Sequence, residues 1–117
     1  MGTILVVGHT AGSDRLVARL RETGWRVLRA PGSAEAVEIL ARSTVDALVV
    51  RHPLLGANTA ELFDDLRAAR AAAIPPIYVL DGLSDPQTRA TFVSLGARSV
   101  LADTPAGWDE LIAQLRS

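Results

Sequence analysis

The sequence predicts an α/β protein: a parallel β-sheet with helices on both faces, forming a three-layer αβα sandwich. Three observations carry this prediction. Five short apolar runs rich in β-branched residues alternate with five stretches of helical character. The first of these runs shows no polar alternation, as expected of a strand covered on both faces. The chain has 117 residues, close to the modal size of a single domain, so the five units fill one domain spanning 1–117 with no room for a linker. Successive strand–helix units imply right-handed crossovers.

The elements follow in order. "TILVV" (3–7) is the first strand. Ser13 or Asp14 can cap a helix whose Leu16, Val17 and Leu20 share one face, and Gly24 stops it. "WRVLRA" (25–30) mixes arginine with apolar residues, as suits an edge strand. Pro31-Gly32 turns the chain and Ser33 caps a second helix with Val37, Leu40 and Ala41 inward. "DALVV" (46–50) is the third strand. Asn58 and Glu61 have capping-box spacing and open a helix through about Arg70 that buries Leu62, Phe63 and Leu66. "IPPIYVLDG" (74–82) is a strand entered through two prolines. Asp85-Pro86 starts a helix that ends at Gly96. "SVLAD" (99–103) is the fifth strand, and a last helix from about Gly107 to Arg116 spaces Trp108, Leu111, Ile112 and Leu115 on one side.

Composition removes several function classes. Formal net charge is −1, which gives no general attraction to nucleic acid or anionic membrane. There is no cysteine, so disulfides, thiolate metal sites and cysteine nucleophiles are excluded. No apolar run approaches a membrane span and no basic leader opens the chain, so a cytoplasmic location is expected.

Five βα units with these loops resemble the receiver domain of bacterial two-component response regulators. The resemblance rests on "ILVV" at the start, "VDALVV" followed by a loop with Gly56, "PPIYVL", "LGARSVLADTP" and an amphipathic last helix, and covers essentially the whole chain. It implies the flavodoxin-like strand order 2-1-3-4-5. Receivers accept a phosphoryl group on an aspartate after the third strand, with Mg²⁺ held by an acidic pair after the first. A hydroxyl after the fourth strand and a lysine after the fifth contact the phosphoryl oxygens. In this chain the acidic pair falls on Gly8 and His9, the acceptor on Arg51, the hydroxyl on Asp81 and the lysine on Asp103. The aromatic switch position on the fifth strand falls on Val100. Every functional position is changed, so the resemblance is to a degenerate, pseudo-receiver form. No carboxylate remains to accept phosphate, and a permanent guanidinium stands where Mg²⁺ would bind.

The swapped signs suggest a direct bond. Arg51 is expected to bridge Asp103, Asp81 or both, tying the strand ends together without phosphate or metal. The alternative is that Arg51 points from a loop into water. No catalytic residue, metal or cofactor is expected. "GHTAGSD" (8–14) lacks the lysine of a phosphate-binding loop. His9 and Gly12 echo one part of a cobalamin-binding motif without its acidic residue, whose place holds Val7. A metal site from His9, His52 and a carboxylate such as Asp103 is disfavoured. Arg89, Arg98 and Trp108 are candidate interface residues; the alternative is a solvated surface with Trp108 packed, and Trp25 and Trp108 both have the character of core or half-buried packing residues.

The function expected is therefore phosphorylation-independent signalling or scaffolding through a protein partner or an output domain, with a homodimer possible. A pocket at the strand ends taking a small anionic ligand on Arg51 is the competing expectation.

Overall fold

The computed structural model describes residues 2–8, 13–52, 59–69, 74–82 and 86–116. The elements are β1 (Thr3–Val7), α1 (Ser13–Glu22), β2 (Arg26–Ala30), α2 (Ser33–Arg42), β3 (Ala47–His52), α3 (Thr59–Ala69), β4 (Ile77–Asp81), α4 (Pro86–Leu95), β5 (Ser99–Ala102) and α5 (Pro105–Leu115). All four strand pairings are parallel and the sheet order is β2-β1-β3-β4-β5. This is the flavodoxin-like order expected.

Strand alternation divides the core into two layers. Ile4, Val6, Ala47, Val49, Tyr78 and Leu80 face α1 and α5, where they meet Leu16, Leu20, Trp108 and Leu111. Leu5, Val7, Leu48, Val50 and Val79 face the other way, onto Leu40 of α2, Phe63 and Leu66 of α3 and Phe92 of α4. The central strands are apolar through their middles because neither face meets water there, and their polar residues fall at the strand ends. Edge strand β2 exposes both its arginines, Arg26 and Arg29.

Several boundaries differ from the sequence reading. Trp25 belongs to the turn after α1 rather than to β2: its N–H donates to Leu20 O at 3.3 Å, closing the helix after Gly24, whose φ is +96°. Ser33 is the first helical residue of α2, not its cap, and the cap position is Gly32. Ala36 rather than Ala41 is buried on α2, since positions 36 and 40 stack one turn apart. β4 begins at Ile77, past the two prolines, which lack the N–H a ladder needs. α5 begins at Pro105, not Gly107, because Thr104 caps it by accepting the Gly107 N–H at 3.2 Å. Asn58 and Asp85 lie outside the described residues.

The early start of α5 brings its first turn against β5. A Cβ on Gly107 would lie 1.8 Å from the Ala102 carbonyl oxygen and 2.8 Å from its carbon, both backbone atoms. Gly107→Ala should therefore cost about 2–4 kcal/mol in denaturant unfolding, since helix or strand must move. A variant of unchanged stability would contradict this close approach.

Candidate functional site

The carboxyl ends of the strands form the ligand-bearing edge of an open α/β sheet. Arg51 reaches that edge from the penultimate position of β3, and its side chain is only 4% exposed. The alternative of a solvent-pointing arginine is thus overturned. As an odd-numbered β3 residue, Arg51 shares the face of Ala47 and Val49, toward α5. From there it spans the end of β4 to reach Asp103, the residue after β5.

The pair is bidentate. Arg51 Nε donates to Asp103 Oδ2 at 3.0 Å and Nη2 to Oδ1 at 2.8 Å. The Asp103 side chain is 11% exposed. The Trp108 indole N–H donates to the same Oδ1 at 2.8 Å, and the Arg51 guanidinium carbon lies 5.9 Å from the Trp108 ring centroid. One carboxylate therefore accepts three hydrogen bonds from two elements. Arg51 Nη1 is buried without a hydrogen-bond partner. The sequence reading missed the indole contact, although its signal was present. Thr104 and Pro105 start a helix, which puts Trp108 one turn inside, above Asp103.

Trp108 requires a correction. It is 5% exposed and packs in the layer with Leu16 and Leu20, so it is not an exposed interface anchor. Its position in the first turn of α5 turns the ring inward. Arg89 and Arg98 are exposed.

Asp81 ends β4 and is 1% exposed. In the β3–β4 register it is the partner of His52, whereas Arg51 is the partner of Leu80. Alternation thus assigns Asp81 and Arg51 to opposite faces of the sheet. The bridge that forms is the one to Asp103. His52 is half-buried beside Thr59, its Nδ1 2.9 Å from Thr59 Oγ1, with its ring edge-on to Phe92 at 4.9 Å. Gly8 follows β1 with φ +121° and donates its N–H to Ala30 O at 2.9 Å. Val100 is 7% exposed and packs with Phe92 in the core layer facing α4. His9 and Gly12 lie outside the described residues. Among the described residues there is no group of three or more His, Cys, Asp or Glu placed to hold a metal ion.

Chemically, the arrangement neutralises itself. A buried guanidinium and a largely buried carboxylate cancel each other's charge, and removing either strands the other. Arg51→Met should lower stability by about 3 kcal/mol, well above the roughly 0–1 kcal/mol of a surface pair. The double variant Arg51→Met with Asp103→Leu should lose less than the two single losses combined. Strictly additive losses in urea unfolding would show that the pair is not coupled.

No protein-family model and no curated protein matches the sequence. Solved structures do match. A putative response regulator from Chloroflexus aurantiacus is 26% identical, with a TM-score of 0.86 over 98% of this chain and 94% of its own. A response regulator receiver protein from Pseudomonas putida is 22% identical, with a TM-score of 0.85 over 98% of this chain and 95% of its own. The response regulator TrrA from Thermotoga maritima, in complex with Mg²⁺-BeF, is 21% identical, with a TM-score of 0.81 over 99% of this chain and 97% of its own. The structural neighbours are response-regulator receiver domains, and this chain has their fold.

Proposed function

We propose that this chain is a receiver-like signalling or scaffolding domain that works without phosphorylation and without catalysis, through contacts with protein. The receiver fold supports a signalling role. The observation that carries the finer reading is the bidentate Arg51–Asp103 pair. It stands where the receiver pattern has an acceptor aspartate and a phosphate-contacting lysine. A hard cation needs oxygen ligands, and Arg51 supplies a fixed positive charge instead. Gly8 stands at the matching position after β1, and neither its backbone nor its missing side chain offers a carboxylate. The Thermotoga protein is described with Mg²⁺-BeF; the residues here oppose the same occupant.

Val100 in place of an aromatic residue on β5 fits the same reading, because a short aliphatic side chain locked in the core has no second position to swing to. Partners on this reading are another protein, an output domain or a second copy. Arg89 and Arg98 are the exposed arginines offered toward them, and Val93 on α4 is 54% exposed. The formal charge of −1 argues against nucleic acid as the partner. No described helix is long and apolar enough to cross a membrane, which fits the cytoplasmic setting of such signalling. An anionic ligand on Arg51 is the weaker reading, since Asp103 already occupies two of its nitrogens and would repel the newcomer.

The test is exposure of the purified domain to Mg²⁺ with beryllofluoride, and separately to acetyl phosphate. Amide resonances of Gly8, Arg51 and Asp103 should not move saturably, and intact mass should show no phosphoryl adduct. Either change would overturn phosphorylation independence.

A further inference from the structure

The opposite edge of the sheet holds a cleft of about 490 Å³ at the amino-terminal ends of β4 and β5. Phe63, Ile74, Pro75, Pro76 and Leu95 supply its apolar lining, and Arg67 and Arg98 stand in it as cations. Its volume falls in the range of small-molecule sites, which are mostly apolar with a few placed polar groups.

The two arginines differ in commitment. Arg67 donates to the Leu95 carbonyl at the end of α4 and lies 3.8 Å from Asp64. It is thereby held as a cap on α4 and its charge is partly met. Arg98 is exposed, and among the described residues its side chain makes no hydrogen bond or ion pair. Its backbone is nevertheless fixed, because its N–H donates to Ile77 O at 2.7 Å. Two consecutive prolines stiffen the facing wall, so little order must be imposed on binding. Asp46 is a carboxylate in the neighbouring groove, which Pro76 and Arg98 also line; it accepts the Thr3 N–H at 2.7 Å and makes no ion pair with Arg98.

We propose that this cleft binds a small organic monocarboxylate, with an aromatic or branched aliphatic group on the apolar lining and the carboxylate on Arg98. One uncommitted guanidinium matches one negative charge and leaves a dianion under-neutralised. The lining requires the ligand to carry apolar surface beside that charge. The site shares no residue with the Arg51–Asp103 pair and does not depend on whether that pair excludes phosphate.

The experiment is an amide NMR titration of the whole chain with 3-phenylpropionate, its uncharged amide 3-phenylpropanamide, and the tripeptide Gly-Gly-Phe. The carboxylate should give saturable millimolar shifts at Phe63, Ile77, Gly96 and Arg98 and none at Arg51 or Asp103. The amide, and the carboxylate against Arg98→Gln, should bind about five- to tenfold more weakly. Arg98 is exposed, so the variant folds, and the dispersion of its spectrum verifies that. No saturable shifts, or equal binding of acid and amide, or undiminished binding to Arg98→Gln, would each overturn the proposal. Binding of Gly-Gly-Phe with none of 3-phenylpropionate would also overturn it, by assigning the cleft to a chain terminus.

Discussion

A positive charge buried at the end of β3 is the constraint around which this edge of the fold is arranged. Arginine cannot shed its proton at ordinary pH, so burial of Arg51 demands a carboxylate. The sheet order places β4 between β3 and β5, and only a long side chain crosses that interval to Asp103. Asp103 must then follow β5 directly, which leaves one turn for Thr104 and Pro105 to start α5. The indole of Trp108 comes down on the same carboxylate oxygen, and Gly107 lets the helix approach the Ala102 carbonyl closely enough for this. Strand, turn, cap, glycine and tryptophan serve one charge pair.

The fold was legible because burial on both faces writes itself into composition. Strands such as "LVV" and "IYVL" have no polar face to hide, and glycines 24 and 96 end their helices in left-handed turns that the sequence announces. Finer boundaries escaped because competing signals lie side by side. Trp25 has strand propensity, yet the N–H it owes to Leu20 binds it to the helix end. Gly107 resembles a helix start, yet Thr104 has the cap hydroxyl.

The site was legible in its charges and not in its geometry. Reading Arg51 against Asp81 and Asp103 identified two acceptors with opposite strand parity, and periodicity from the strand register decides between them: Arg51 faces α5 with Leu80, while Asp81 pairs with His52. That decision needs the register, which a single sequence does not carry. Trp108 carried two readings, interface and packing, and its burial selects the second. Aromatic residues on a last helix invite an interface reading, but position within the helix, not residue type, sets whether the ring faces the core.

The two edges of the sheet are electrostatically unlike, and that contrast bears on where an anion could bind. At the carboxyl edge Arg51 is already met by Asp103, and an anion arriving at that guanidinium must displace Asp103 from a bidentate, largely desolvated contact. At the amino edge the Arg98 guanidinium stands beside apolar walls and, among the described residues, makes no hydrogen bond or ion pair that an anion would have to break. Binding free energy is the surplus over what must be broken first. For the same ligand charge, the amino edge therefore has the advantage, because among the described residues the Arg98 side chain has no such contact to give up whereas that of Arg51 has two.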